Sequence, residues 1–316
     1  MNILCTGVCG FQGSHLAESL IADGHTVFGL NTPSDHAYNN YVKYLRDIGV
    51  IMTWGSVADK HIVDSIMKND IEMVFHLGAK INVDESIDNP TDFYLINIIG
   101  TYNVLEAVKE HNAIMVFAST CETYGENTNP PKPMDENHPL RPFSPYAMSK
   151  CSADRMCYAY HRTHNLDIRI LRPFNIYGER QKIGSKGAVI PTFFNQAMND
   201  WDITIHGDGL QTRDYLHVTD VIQAYRIVMA NDTLSGEVIN VGSCEEHSII
   251  EIAEAIVDIV GKGRIVHVDG RPGEVSSFVC DNTKIKYYGW KRKVDFYQGL
   301  KQYYQWLLGG SVDGKT

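Results

Sequence analysis

Two groups of side chains in this sequence have the types and spacing for chemistry. In FASTCETYGE, residues 117 to 126, a hydroxyl, a thiol and a carboxylate stand consecutively as Thr120, Cys121 and Glu122. In SPYAMSK, Tyr146 and Lys150 are four residues apart, so a helix would bring them onto one face. A tyrosine with an ordinary pKa of about 10 is a poor base near neutrality, and an adjacent ammonium favours its phenolate. A cysteine thiol, with a pKa of about 8.5, keeps its proton at neutral pH, where an aspartate at about 3.9 would not. Cys121 can therefore give a proton while Glu122 takes one. An acid and base beside a phenol and ammonium suit successive proton transfers at neighbouring atoms of a small substrate.

The glycine pattern suggests what accompanies them. TGVCGFQGSHLAE places Gly7, Gly10 and Gly13, with Phe11 and Gln12 between them, after an apolar strand and before an amphipathic helix. Glycines there allow a tight turn, a close approach of a pyrophosphate and close helix packing, while the helix N-terminus offers N–H groups to the phosphates. This is the turn of a dinucleotide site. The second strand ends in Asn31 where an acidic residue commonly holds the ribose. Asparagine can hydrogen-bond a ribose without repelling a 2′-phosphate, but NTPSDHAYNNY contains no Arg or Lys. The reading is NAD, with NADP not excluded.

NILCTG, TVFGLN, VIMTWG, MVFHLG, IMVFAST and IRILRPFN read as strands, separated by segments with helical spacing such as SHLAESLIADG and TYNVLEAVKEHN. That alternation predicts an α/β fold with a doubly wound parallel sheet. The second half is less regular. The expected division is a dinucleotide-binding domain over 1–172, returning near 214–243, and a smaller C-terminal lobe over 173–213 and 244–316. NTNPPKPMDENHPLRPFSP reads as an ordered loop near a site, and the tail GGSVDGKT as frayed.

The formal charge of −10 over 316 residues argues against general affinity for nucleic acid or anionic membrane. Seven scattered cysteines without a C-x-x-C pair support neither a zinc ribbon nor a redox dithiol. No metal site is expected. An N-terminus reading as a strand, the cysteine usage and the lack of a long apolar run point to a cytoplasmic protein.

The chain resembles the extended short-chain dehydrogenase/reductase family, the nucleotide-sugar epimerases and dehydratases. Besides the glycine turn and Tyr146-x-x-x-Lys150, the resemblance is carried by HLGAKINVDESIDNP, NIIGTYNVLEA with Asn97 and Gly100, RPFNIYG with Asn175 and Tyr177, GDGLQTRDYLHVTDV, and RPGE. It implies a Rossmann-type fold with a substrate lobe, an NAD cofactor, a nucleotide-diphosphate sugar as substrate, and a homodimer formed through the Tyr146 helix and its neighbour. Cofactor contacts would come from Gly7, Gly10, Phe11, Gln12, Gly13, Asn31, Ser56, Val57, Leu77, Gly78, Ala79, Asn97, Tyr146, Lys150 and Pro173. Substrate contacts would come from Lys80, Asn175, Val189, Arg213, Arg271 and Glu274. The two arginines would hold the diphosphate, for which a planar guanidinium fork is suited. His76 matches a position that is structural in relatives. The chain departs from the pattern at Asn31 and at Gly55-Ser56, where Gly-Asp is frequent.

Within the family, Thr120 and Tyr146 would bond the sugar hydroxyl that is oxidised. Dehydratases tend to read Thr-Asp-Glu or Thr-Ser-Glu after the strand, and glucuronate decarboxylases can also read Thr-Ser-Glu. The Thr-Cys-Glu triplet resembles that of the nucleotide-hexosamine 5,6-dehydratase of tunicamycin biosynthesis. The expectation is an NAD-dependent dehydratase, 4,6- or 5,6-, working through a transient 4-keto sugar. A 4-epimerase and a UDP-glucuronate decarboxylase are the alternatives on this scaffold. Intact Thr120, Tyr146 and Lys150 argue against a non-catalytic nucleotide-binding protein.

Overall fold

The computed structural model describes residues 1–33, 39–125, 127, 132–181, 188–270 and 276–309. Its strands, in chain order, are β1 Asn2–Thr6, β2 Thr26–Asn31, β3 Ile51–Trp54, β4 Met73–His76, β5 Ile114–Ala118, β6 Ile168–Pro173, β7 Asn175–Tyr177, β8 Asp202–His206, β9 Thr212–His217, β10 Val238–Val241, β11 Glu246–Ser248, β12 Arg264–Val268 and β13 Ser277–Phe278. The helices are α1 Phe11–Ala22, α2 Asn39–Asp47, α3 Lys60–Met67, α4 Val83–Asp88, α5 Pro90–Phe93, α6 Gly100–His111, α7 Pro145–His164, α8 Val189–Met198, α9 Val218–Met229, α10 Ile249–Val260, α11 Thr283–Tyr287 and α12 Phe296–Leu307.

The six runs anticipated as strands, joined by Val238–Val241, which was not anticipated, form a seven-stranded sheet in the order β10-β6-β5-β4-β1-β2-β3. The pairings from β3 across to β6 are all parallel. This is a Rossmann arrangement, and chain direction across the sheet reverses between β1 and β4, where such folds bind ligands. The apolar faces of α3, α6 and α7 cover one core built on Leu4, Val74, Met115, Phe117, Ile168 and Ile170.

Local sequence sets the helix ends. Ser144 caps α7 by accepting from Ala147 N–H, Pro145 occupies its first turn, and Asn165 closes it in the left-handed region. Between α5 and α6, residues Tyr94–Ile99 widen into a π-helical turn, a local form common at functional sites.

The chain divides into two compact units. The first comprises Met1–Gly125, Pro139–Pro173 and Ile222–Ile239; the second comprises Glu126–His138, Phe174–Val221 and Asn240–Thr316. The second unit pairs β9 with β7, β11 and β13, and β8 with β12. Its core gathers Phe193, Phe194, Ile203, Ile205, Ile252, Ile256, Phe296 and Tyr303. Among the described residues, no helix is long and apolar enough to cross a membrane.

Candidate active site

Gly7 leaves β1 with φ of 69°, a conformation that favours glycine. A Cβ on Gly7 would lie 2.9 Å from Gly78 Cα, and one on Gly13 would lie 2.2 Å from the Gly7 carbonyl oxygen. The turn, the end of β4 and α1 can therefore approach closely only because these residues lack side chains. Gly10 caps α1 without a side-chain hydrogen bond, and the first turn carries no acidic residue. The N-terminus of α1 thus suits a pyrophosphate.

The cofactor contacts expected nearby are braced internally. Gln12 Oε1 accepts from Tyr225 Oη at 3.0 Å, and Phe11 meets His15 edge-on. Asn31 is buried; its Oδ1 accepts from Cys9 N–H at 3.3 Å and its Nδ2 donates to the Thr32 carbonyl at 3.2 Å. A ribose hydroxyl would use the second lone pair of Oδ1. Ser56 Oγ accepts from Ala58 N–H at 3.1 Å, and the Val57 carbonyl accepts from Asn103 Nδ2 at 3.1 Å.

A polar relay links this turn to α7. Gly78 N–H donates to Thr6 Oγ1 at 2.9 Å, and Thr6 Oγ1 lies 2.7 Å from His76 Nδ1. His76 Nε2 lies 3.0 Å from Thr101 Oγ1, whose proton goes to the Asn97 carbonyl at 2.6 Å. Thr101 must then accept from Nε2–H; with a pKa lowered to about 3 the ring is neutral near pH 7, so Nδ1 accepts from Thr6. Burial pushes the imidazole down to about 3, with a further contribution from the Lys150 charge.

Asn97 sits in the π-helical turn. Its Oδ1 accepts from Lys80 N–H at 2.8 Å, and its Nδ2 donates to the Lys80 carbonyl and to Ser149 Oγ, both at 2.9 Å. Ser149 Oγ donates in turn to the Tyr146 carbonyl at 2.7 Å. The stretch Leu77-Gly78-Ala79-Lys80 is thereby fixed to α7. The Lys80 ammonium pairs with Glu85 at 2.8 Å and Asp92 at 3.0 Å, so its charge is balanced inside the chain.

Tyr146 and Lys150 are both buried on α7. Lys150 Nζ donates to the Ala118 carbonyl at 2.6 Å and lies 4.3 Å from the Phe117 ring centre. Burial brings its ammonium down to about 8, despite the nearby Cys157 and Asp154. Burial raises the Tyr146 phenol above its ordinary value, and the Glu122 charge adds to this; a hydrogen bond with Thr120 opposes it.

Thr120 ends the run from β5 and caps a short 3₁₀ turn over Cys121–Thr123, its Oγ1 accepting from Glu122 N–H at 3.3 Å. Cys121 is buried and Glu122 half-buried. The structure therefore gathers Thr120, Cys121, Glu122, Tyr146 and Lys150 in the first unit, at the carboxyl end of the sheet.

Sequence reasoning passed over the support beneath them. Asp154, one helical turn beyond Lys150, pairs with Arg172 of β6 through two 2.9 Å bonds and accepts from Ser119 Oγ at 2.6 Å. The available signals were the i, i+4 spacing from Lys150 and a charge placed inside the apolar strand IRILRP.

In the second unit, Asn175 Nδ2 donates to the Asp214 carbonyl at 3.1 Å. The Arg213 guanidinium lies 5.4 Å from the Phe278 ring centre and donates to the Thr212 carbonyl at 2.8 Å. Val189, half-buried, begins α8. Pro173 ends β6 in the first unit. Arg271 and Glu274 lie outside the described residues. Among the described residues, no group of three His, Cys, Asp or Glu could hold a metal ion.

Comparison with known proteins agrees with this fold. The GDP-mannose 4,6 dehydratase family model matches residues 4–303. The chain belongs to that family. It is 34% identical over 318 residues to a UDP-N-acetyl-alpha-D-glucosaminuronate decarboxylase of Bacillus cytotoxicus, covering 96% of this chain and 97% of that one. A UDP-glucose 4-epimerase of Thermotoga maritima, solved with UDP-glucose, superposes with a TM-score of 0.90 at 30% identity, covering 98% and 99% of the two chains. A dTDP-glucose 4,6-dehydratase of Bacillus anthracis, solved in complex with NAD, gives 0.88 at 30% identity, covering 98% and 97%.

Proposed function

We propose that this enzyme is an NAD-dependent nucleotide-sugar dehydratase acting through a transient 4-keto sugar. The N-terminus of α1, capped by Gly10 without a side-chain hydrogen bond, the close Gly7–Gly78 approach and the buried Tyr146 and Lys150 of α7 fit NAD. Bound NAD supplies the hydride acceptor and donor for the cycle and, when oxidised, a positive charge that favours the Tyr146 phenolate.

Tyr146 takes the proton of the C4 hydroxyl, with Lys150 as its neighbouring cation and Thr120 bonding the same oxygen. The resulting ketone acidifies the C5 proton. Glu122 removes that proton, and Cys121 protonates the C6 hydroxyl as it leaves as water. Asn175, Arg213, Val189, Lys80, Arg271 and Glu274 are assigned to the nucleotide-diphosphate sugar, the arginines to its phosphates. In a 4,6-dehydration the hydride goes to C6; in the 5,6-route that the Thr-Cys-Glu triplet suggests, it returns to C4 and leaves an exocyclic alkene.

One observation carries the reading: Glu122 is a half-buried carboxylate in the 3₁₀ turn capped by Thr120, its N–H on Thr120 Oγ1 at 3.3 Å, in the segment that follows β5. A 4-epimerase needs oxidation, rotation and reduction, but no such carboxylate. The epimerase and decarboxylase relatives keep those two reactions as the second reading.

Mass spectrometry of products from UDP-, GDP-, CDP- and dTDP-sugars in deuterated water separates them. Loss of water with deuterium kept at C5 identifies 4,6-dehydration, and a 5,6-alkene without it identifies the other route. An epimer of unchanged mass or loss of carbon dioxide would replace the proposal. Glu122→Gln is expected to lower kcat by ~10²–10⁴-fold, the usual worth of a positioned base; unchanged turnover would refute its role.

We also propose a homodimer through α6 and α7. Leu95, Ile99, Tyr102, Met148 and Tyr158 on these packed helices and the preceding turn are all more than a third exposed, an apolar surface of the kind that marks an interface. Light scattering should give twice the chain mass, and Tyr102→Glu with Met148→Glu should give a monomer. A wild-type monomer would refute the interface.

A further inference from the structure

The segment carrying Thr120, Cys121 and Glu122 is pinned at three points from beneath. Lys150 holds the Ala118 carbonyl at 2.6 Å. Four residues along the same helix, Asp154 accepts from Ser119 Oγ at 2.6 Å. On the far side of the triplet, Arg172 Nη1 donates to Tyr124 Oη at 3.0 Å, with the guanidinium 4.9 Å from the ring centre. Asp154 and Arg172 are themselves joined by two bonds of 2.9 Å, Nε to Oδ2 and Nη2 to Oδ1. Asp154, Arg172 and Tyr124 are essentially solvent-free, and Ser119 is 5% exposed. The backbone adds Ser119 N–H to the Leu171 carbonyl at 2.7 Å and Tyr124 N–H to the Cys121 carbonyl at 2.9 Å.

A buried ion pair is a weak source of stability, because desolvation offsets much of its attraction. What a bidentate Arg–carboxylate pair does supply is direction, since the fork fixes both partners in one plane. Here the fixed plane extends one arm to each end of the six-residue span Ser119–Tyr124, with Cys121 and Glu122 at its centre. Thr120 has a further tie to Tyr146 and to Glu122 N–H. Cys121 and Glu122 lie between the two arms.

We propose that Asp154 and Arg172 are positioning residues that, through Ser119 and Tyr124, hold the 3₁₀ turn so that Glu122 faces C5 of the sugar and Cys121 its C6 hydroxyl. The pair joins two phases of the reaction: the helix that carries the oxidation residues also locates those acting after it. The kinetic consequence rests on the dehydratase reading; the positional claim does not.

The test cuts the arms and leaves the pair, using Ser119→Ala with Tyr124→Phe in NAD-loaded protein. Alkylation by iodoacetamide is followed by mass spectrometry at each cysteine. Cys121 is expected to react at least ~10-fold faster, as local opening becomes easier, while Cys5 and Cys157 stay silent and NAD affinity stays within about 2-fold. An unchanged Cys121 rate overturns the proposal. So does equal acceleration at all three thiols, which would mean general loosening. If the double variant loses NAD, Tyr124→Phe alone, one hydroxyl smaller, gives the same reading.

The kinetic arm uses whichever sugar of the UDP and dTDP panel the wild type dehydrates. There kcat should fall ~10–100-fold with KM nearly constant, because the loss is confined to groups acting after binding. A rise in KM with kcat preserved overturns the proposal. Should the wild type release an epimer, the dehydratase reading fails, and the thiol measurement still judges the positioning.

Discussion

Asp154 in the first unit and Asp214 in the second are both 0% exposed, yet the protein stabilises them by different means. Burial opposes ionisation of Asp154, but the Arg172 fork, Arg155 and Ser119 outweigh it and hold its carboxyl below the ordinary range. Asp214 has the same burial and is surrounded by neutral donors. Ser243 N–H and Oγ reach one oxygen at 2.7 and 2.6 Å, and the N–H groups of Cys244 and Cys280 reach the other at 2.9 and 3.1 Å. Burial prevails there and raises its pKa to about 6. A matched charge keeps a buried carboxylate ionised across the physiological range; even four neutral hydrogen bonds do not cancel its desolvation.

The contrast is broken most forcefully at the ion pair. Asp154→Asn leaves the Arg172 guanidinium buried without its anion, which is expected to cost ~3–5 kcal/mol in urea unfolding. Adding Arg172→Gln removes the stranded charge and should recover more than half of that loss, even though a second native group has been deleted. If the double variant were the less stable of the two, the carboxylate would be acting by hydrogen bonding alone, as Asp214 does.

These carboxylates also mark where sequence reading stops. The strands, the glycine turn and the Tyr146–Lys150 face follow from period and spacing, because each is set by residues within a few positions of one another. The parallel sense of the sheet follows from the βαβ pattern. The Asp154–Arg172–Tyr124 arrangement joins residues up to 48 apart, and the relay through Thr6, His76, Thr101 and Asn97 has a link across 70 positions, so no local pattern encodes either. Asn31 and Lys80 stand out in the sequence as candidate site residues, but their internal partners do not, Cys9 N–H for one and Glu85 and Asp92 for the other. The placement of 126–138 and 214–221 with the second unit depends on contacts such as Met134 N–H to the Val279 carbonyl and the donors around Asp214. Composition does not reveal these contacts.

The smallest effect expected is at Asp214, and there the sign matters more than the size. Its folded-state pKa of about 6 lies above the ~3.9 of an unfolded aspartate, so between those values the folded chain holds the extra proton. The stability this group contributes is therefore complete below about pH 4 and is lost as pH rises through about 6, a span worth roughly 2–3 kcal/mol. Asp154 runs the other way: its contribution is present above about pH 4 and is lost only as acid reaches its lowered pKa. Asp214→Asn cannot titrate. Its deficit against the wild type in urea melts should therefore shrink from pH 4 to pH 7, ending at about 1 kcal/mol for the hydrogen bonds an amide cannot match. Tryptophan emission is a suitable probe, because Trp201, Trp290 and Trp306 belong to the second unit and Trp54 alone to the first. A deficit that grew with pH would mean that the four donors do ionise Asp214 at neutral pH without penalty, and the difference between the two carboxylates would then lie in geometry alone.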